Sequence, residues 1–254
     1  MNDERFAAVI LAAGSSSRFL RQSSPHMSGI KKEFIKIDDN GLTALGSSVK
    51  TFASIPSVKI IVIAVRENEE EAGRGALPPE LQKTLEDKKI IFVNGGKTRS
   101  ASVFNALSAL TPYNPCYVLI HDGARPWVSA SLINGIIDAV KRHGAVIPLL
   151  PLTDTPKEIT YDKEQRTDND AQSAVFIKRH LKRNNVGAAQ TPQAFRFPEI
   201  LRAYEKAAEA PGEDFTDDAE IWGRFGGCGA SGGEVAVIPG EKENRKITFP
   251  EDIF

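Results

Sequence analysis

Five stretches of this chain set cations or a carboxylate among small residues, the combination that chemistry on phosphates requires. The first, Leu11-Ala12-Ala13-Gly14-Ser15-Ser16-Ser17-Arg18, closes an apolar run. Small residues there let the backbone approach a ligand closely, and their N–H groups can cradle phosphate oxygens. Arg18 can add charge-assisted hydrogen bonds. With one glycine the stretch is not GxGxxG, and without a following GKS or GKT it is not a Walker A loop. Lys31 and Lys32 follow a polar loop. They matter to a ligand only if that loop folds back over the C-terminal end of the first strand, where open α/β sheets bind. Gly95-Gly96-Lys97-Thr98-Arg99-Ser100-Ala101-Ser102 combines glycines that permit close approach with the start of a helix, which favours an anion or a polar base edge. His121-Asp122-Gly123-Ala124-Arg125-Pro126 ends another apolar run, and one carboxylate there suits Mg²⁺, which binds through one or two carboxylates plus substrate phosphates. Lys246 follows Arg245, and adjacent residues of a strand face opposite ways, so one of the two can point to the ligand end.

Each stretch also has a plain reading. The first is a Gly/Ser-rich turn, Thr98 is a helix N-cap, and Asp122 caps a turn with Arg125 as its ion-pair partner. His121 reads as structural. Thr216-Asp217-Asp218 reads as an N-cap followed by acids in the first helical turn. Asp154-Thr155-Pro156-Lys157 and Arg183, taken alone, are turn residues and a surface cation.

These residues need a scaffold, and hydrophobic rhythm supplies one. Apolar runs rich in Val and Ile occur at Phe6–Leu11, Val58–Val65, Lys89–Val93, Cys116–Ile120 and Ala145–Leu150. They scarcely alternate, as strands buried on both faces should not. Helical stretches lie between them at roughly 43–54, 78–87, 98–110 and 129–142. The alternation predicts an α/β fold with a mostly parallel sheet and helices on both faces. The rhythm breaks over about 151–188. That segment holds the polar stretch 162–172, the apolar patch Ala174–Ile177 and the basic stretch Lys178–Arg183. It is a surface loop or an excursion used in assembly. Rhythm returns with helices near 197–209 and 217–225 and strands near 234–238 and 245–248.

Composition narrows the classes. The 254 residues suit one α/β domain, and 32 Lys plus Arg against 33 Asp plus Glu leave a net charge of -1, which gives no basic surplus for nucleic acid. The two cysteines, Cys116 and Cys228, support neither a disulfide framework nor a zinc site and fit a reducing cytoplasm. The apolar run Phe6 to Ala13 is too short to span a bilayer or serve as a signal peptide, so no membrane partner is expected.

Taken in order, the segments resemble the 2-C-methyl-D-erythritol 4-phosphate cytidylyltransferase family. The matching pieces are AAG-x3-R at Ala12–Arg18, K-x-F at Lys32–Phe34, GG-x2-R-x2-S at Gly95–Ser102 and HDGARP at 121–126, then DT-x-K at 154–157, QTPQAF at 190–195, TDDA at 216–219 and N-x-KIT at 244–248. The resemblance runs from about Phe6 to Ile253. It implies a single Rossmann-like nucleotidyltransferase domain over 1–254 with a protruding dimerisation arm over about 151–188. It implies that backbone at Ala12, Ala13, Gly14 and Ser15 holds the CTP phosphates, with Arg18 and Lys32 on the triphosphate and Lys246 near the reacting phosphates. Gly96 and Ser102 would contact cytosine and ribose, and Asp122 would face Mg²⁺ (or another divalent cation) and the substrate, with Arg125 beside it. Thr155 and Arg183, on an arm exchanged between subunits of a homodimer, would hold the methylerythritol phosphate.

The chain departs from the family pattern in its longer loop Phe19–Lys31, in Lys31 where proline is common, in Arg245 where an apolar residue is expected and in a long arm segment 161–182. Little chain follows the PED motif, which leaves the expected last strand less covered. The implied reaction joins two anions, so its catalyst must neutralise charge and orient attack. A phosphate nucleophile is already ionised near pH 7 and needs no general base. The nearest rival is ribitol-5-phosphate cytidylyltransferase, from which AAG and HDGARP lean away. An NAD(P)-dependent oxidoreductase is opposed by the missing GxGxxG, and a non-catalytic nucleotide binder by the cations kept for reacting phosphates.

Overall fold

The computed structural model describes residues 5–22, 29–83, 88–161, 175–210, 215–226 and 233–253. The described elements run β1 (Phe6–Leu11), α1 (Ser17–Gln22), α2 (Ala44–Ser54), β2 (Val58–Val65), α3 (Glu70–Gly75), α4 (Pro79–Lys83), β3 (Lys89–Asn94) and α5 (Arg99–Leu110). They continue with β4 (Tyr117–Asp122), α6 (Ala130–His143), β5 (Ala145–Pro151), β6 (Lys157–Tyr161), β7 (Val175–His180), β8 (Gly187–Ala189), β9 (Gln193–Arg196), α7 (Phe197–Ala208), α8 (Asp218–Phe225) and β10 (Ala236–Pro239).

The main sheet has the order β10-β5-β9-β4-β1-β2-β3, with β8 alongside β5. β1 is the centre of its parallel part, flanked by β2 and β4, and its residues Phe6 to Ile10 are fully buried. Its alternate side chains serve two cores. Phe6, Ala8 and Ile10 pack with residues of α2 and α6, while Ala7 and Val9 pack with α5, α7 and α8. A strand covered on both faces has no polar side to show, hence the unalternating apolar run. The helices between strands begin where the chain supplies caps: Thr43, Thr98 and Ser129 accept from Gly46, Ala101 and Leu132 N–H groups at 2.9, 3.1 and 2.9 Å. α6 ends at Gly144, whose φ of 81° is the left-handed conformation that glycine adopts without strain.

The structure corrects the sequence reading in four places. No strand forms near 245–248; this segment meets the chain beyond the end of β4, where Ile247 N–H donates to Ala124 O at 2.8 Å and no strand is left to pair with. The helix expected over 78–87 is described only as Pro79–Lys83, and 84–87 lie outside the described residues. The cap of α8 is Asp217, not Thr216; Asp217 accepts from Glu220 N–H at 3.0 Å, and the Glu220 carboxylate reaches back to Thr216. The fourth difference is β9, a four-residue strand inserted antiparallel between β4 and β5. It is too short to leave a rhythm in the sequence.

The segment over 151–188 does leave the main sheet. β6 and β7 pair with each other as a separate antiparallel hairpin. Ile159, Tyr161, Val175, Phe176 and Ile177 on it are about half exposed. The polar stretch 162–172 and Ala174 lie outside the described residues, as does Cys228. No helix among the described residues is long and apolar enough to cross a membrane.

Candidate active site

The C-terminal ends of β1 to β4 open onto a cleft of about 450 Å³, bordered by Ala13, Gly14 and Ser15 on one side and Lys32, Asp122 and Lys246 on another. This is the end of an open α/β sheet at which ligands bind. Ala12 N–H continues the sheet by donating to Ala64 O at 2.7 Å. Beyond it the N–H groups of Ala13, Gly14 and Ser15 have no partner among the described residues. Unpaired backbone donors in a row, facing a cleft, call for an acceptor from outside the chain.

The loop after β3 closes the cleft opposite. A Cβ on Gly95 would clash with Ala13 Cβ, so only glycine lets the two loops touch, and one on Gly96 would clash with Ala101 Cβ, so only glycine lets the loop turn tightly onto the start of α5. Ser102, nearly buried on the first turn of α5, accepts from Gly96 N–H at 3.0 Å and donates to Thr98 O at 2.9 Å. The sequence-expected contacts Gly96 and Ser102 therefore form one unit at the cleft wall.

Asp122 is the electrostatic centre. Lys246 Nζ lies 2.7 Å from its carboxylate, Arg99 Nε 3.5 Å and Arg125 Nε 3.7 Å. Burial opposes the charge, but Lys246 first, then Arg99 and Arg125, hold the Asp122 carboxyl far below the usual carboxylate range. Lys32 stands in the same cleft, where burial and the neighbouring Lys246 and Arg18 charges push its ammonium pKa down against the pull of Glu33 and Asp122. Cations gathered in one cleft in excess of its carboxylates suit a polyanionic ligand.

The expected residues divide into four groups. Lys32, Lys246, Asp122, Gly96, Ser102 and the Ala13–Ser15 backbone meet at the cleft, with Ala12 buried just behind. Arg18 borders an adjoining hollow of about 190 Å³ that shares Gly14, Ser15 and Lys32 with the cleft. Arg125 does not line the cleft; its Nη1 donates to Asn244 O at 2.8 Å behind Asp122. Thr155 and Arg183 are exposed and lie away from the cleft, Arg183 donating to Thr153 O at 2.7 Å. Lys31 turns away from the cleft to Glu69, and Arg245 stacks 4.2 Å over the Trp127 ring, which leaves Lys246 as the member of that pair facing Asp122.

Several contributors went unnoticed in the sequence. Arg99 makes a two-pronged contact with Asp218, at 2.9 and 2.8 Å, and Tyr204 OH donates to the same carboxylate. Burial works against the Arg99 charge, yet Asp218 and Asp122 keep its pKa well above the ordinary value. The arginine of GG-x2-R was the available signal. Glu33, nearly buried, accepts from Ser16 Oγ at 2.9 Å, and burial raises its pKa against the pull of Lys32. Ser16 itself has φ 51°. Behind Asp122, Thr191 Oγ1 accepts from the Asp122 N–H at 3.1 Å and lies 3.0 Å from His121 Nδ1. Its one hydroxyl proton then goes to Nδ1, and His121 Nε2–H donates to Arg125 O at 3.1 Å. The imidazole is thus held neutral, and burial depresses its pKa to about 4. Asn244, fully buried, donates to Thr191 O at 2.8 Å and fixes the segment that carries Lys246.

Known proteins share the build of this chain. Residues 6–254 match the family described as IspD, 2-C-methyl-D-erythritol 4-phosphate cytidylyltransferase. A protein of that name from Geobacillus thermodenitrificans is 32% identical over 249 residues, covering 98% of this chain and 94% of its own. The "Bifunctional enzyme IspD/IspF" of Bartonella tribocorum is 32% identical over 246 residues, and there the match covers 97% of this chain but 54% of the relative. The chain thus spans about half the length of such bifunctional relatives. Among solved structures, the 4-diphosphocytidyl-2C-methyl-D-erythritol synthase of Anaerococcus prevotii superposes with a TM-score of 0.74 at 28% identity, covering 99% of this chain and 94% of that one. With a family match running from the first residue of β1 past the end of the last described segment, this chain belongs to the 2-C-methyl-D-erythritol 4-phosphate cytidylyltransferase family.

Proposed function

We propose that this chain transfers CMP from CTP to 2-C-methyl-D-erythritol 4-phosphate, yielding 4-diphosphocytidyl-2-C-methyl-D-erythritol and pyrophosphate. The observation that carries the reading is the pairing, in one cleft, of the free Ala13–Ser15 N–H groups with Lys32 and the Lys246–Asp122 couple. The amides bind the triphosphate of CTP, and Gly96 with Ser102 receives the nucleoside end. The acceptor's phosphate oxygen attacks the α-phosphorus, a new P–O–P link forms, and the bond from the α-phosphorus to the bridging oxygen of the β-phosphate breaks. Lys246, drawn from Asp122 to the α-phosphate, and Lys32 offset the charge of two anions brought together. The substrate phosphate arrives ionised, which suits a site whose only nearby histidine among the described residues, His121, is buried and neutral.

A divalent cation fits this donor set. Asp122 offers one carboxylate at the cleft, and no group of three or more His, Cys, Asp or Glu side chains gathers among the described residues to cage a metal. Asp122 would hold Mg²⁺ together with substrate phosphates, and the ion would lend charge neutralisation and order to the triphosphate. A homodimer is part of the same proposal. The exposed apolar residues of the β6–β7 hairpin support it, and so does the absence of Thr155 and Arg183 from the lining of their own cleft. The exposed free Cys116 suits a reducing cytoplasm. Pyrophosphate release, measured with CTP and a panel of polyol phosphates, tests the whole. Turnover is expected with methylerythritol phosphate and to be far slower with ribitol 5-phosphate; the reverse order would assign the chain to the ribitol reaction.

A further inference from the structure

Two cations reach consecutive carbonyl oxygens of the loop after β1. Lys31 Nζ donates to Ala12 O at 3.3 Å, and Arg66 Nε donates to Ala13 O at 3.2 Å. Lys31 is 8% exposed, and its ammonium also meets Glu69 Oε2 at 2.6 Å and lies 5.6 Å from the centre of the Phe34 ring. It does not line the cleft and reaches the loop from behind. Arg66, the first residue after β2, is exposed and borders the cleft. A lysine is rarely buried to this degree without purpose, and a surface pair alone would leave its ammonium in water.

Peptide geometry gives these contacts a consequence. In a trans peptide the C=O and N–H of one plane point in opposite directions. A cation on Ala12 O therefore turns the Ala13 N–H away from Lys31, and a cation on Ala13 O turns the Gly14 N–H away from Arg66. Ala13 and Gly14 line the cleft, and these two N–H groups are without a partner among the described residues. Charge at the oxygen also polarises the peptide and strengthens the donor at its other end. We propose that Lys31 and Arg66 are positioning residues that clamp this loop by its carbonyls and aim the Ala13 and Gly14 N–H groups at the phosphates of a nucleoside triphosphate. This rests on the CTP reading above. Lys31 acts without touching the ligand, a different task from that of its neighbour Lys32 in the cleft.

The test separates phosphate binding from base binding. Lys31→Met keeps the aliphatic stem and removes the charge; Arg66→Met does the same at a surface position that puts folding at little risk. Calorimetry would measure CTP, inorganic tripolyphosphate and cytidine on the full chain, with a thermal melt to show that each variant is folded. Each variant is expected to weaken CTP and tripolyphosphate by about tenfold, the scale of a lost charge-assisted hydrogen bond, and to leave cytidine unchanged. Because Arg66 borders the cleft and can meet phosphate itself, the Lys31 arm decides between clamp and direct contact. A folded Lys31→Met with wild-type tripolyphosphate affinity would overturn the clamp, as would an equal loss of cytidine affinity, which marks general damage to the site. If Lys31→Met does not fold, wild-type tripolyphosphate affinity in Arg66→Met overturns it. Wild type failing to bind CTP would instead sink the functional reading.

Discussion

Replacing Arg99 by methionine strands a buried carboxylate. Asp218 is fully buried and takes two hydrogen bonds from Arg99 and one from Tyr204. In Arg99→Met the Tyr204 donor remains, and the carboxylate keeps one partner of three. Removing one member of a buried ion pair costs roughly 3–5 kcal/mol, because the other charge is left desolvated. Arg99 is itself partly exposed, so water can enter where its guanidinium was, and the loss belongs at the lower end, about 3 kcal/mol. For a chain of this size that lowers the melting temperature by roughly 6–12 °C. The second change is Asp218→Asn. Alone it leaves Arg99 with only the Asp122 carboxylate, 3.5 Å away. Combined with Arg99→Met it removes the stranded charge, so the double variant should be more stable than Arg99→Met by at least about 1 kcal/mol, and the coupling over the full cycle should be on the order of 1–3 kcal/mol, as for contacting residues. Urea unfolding of the four proteins, followed by tryptophan fluorescence, measures the cycle. An Arg99→Met protein within about 2 °C of wild type, or a double variant no more stable than the single one, would refute the view that this pair holds α5 to α8 across the site.

Lys32→Ala and Arg18→Ala are each expected to lower turnover by roughly 10²–10³-fold in the pyrophosphate assay. Lys31 is engaged by Glu69 and cannot take over, so near wild-type turnover of Lys32→Ala would contradict the cleft assignment. The depressed His121 pKa of about 4, against 6.5 when unfolded, means that the unfolded chain takes up this proton first as pH falls. The contribution is full above pH 6.5 and is lost between there and about 4, a total loss of about 3 kcal/mol at about 1.36 kcal/mol per unit. Urea titrations across that window should show a steeper acid loss in wild type than in His121→Gln, and equal slopes would remove His121 from the account. Mixing Arg183→Ala with Asp122→Ala chains should restore activity above either variant alone if the arm serves the partner's cleft; no recovery despite demonstrated subunit exchange would end the shared-site proposal. Excess chelator is expected to abolish turnover and added Mg²⁺ to restore it, and full activity in chelator would rule out a required divalent cation.

The sequence by itself determined the scaffold. Unalternating Val/Ile runs such as Phe6–Leu11 need burial between two layers, though Lys89–Val93 forms the partly buried edge strand β3, and a cap such as Thr98 acts within three residues of itself, so strands and helix starts could be read from local order. It also showed which loops end the strands, and hence where small residues and cations could meet a phosphate. The family resemblance picked Lys32 and Lys246, but residue chemistry alone left Lys31 against Lys32 and Arg245 against Lys246 open, because adjacent cations have the same chemistry until the fold supplies partners. Glu69 and Ala12 draw Lys31 behind the loop while Lys32 enters the cleft, and Trp127 takes Arg245 while Asp122 takes Lys246. Nor could the sequence show β9 entering antiparallel between β4 and β5, Asp218 closing on Arg99, or Thr191 fixing His121. Each of these joins residues far apart in the chain. The free energy of such a contact depends on who desolvates whom, and that is settled only when the layers pack.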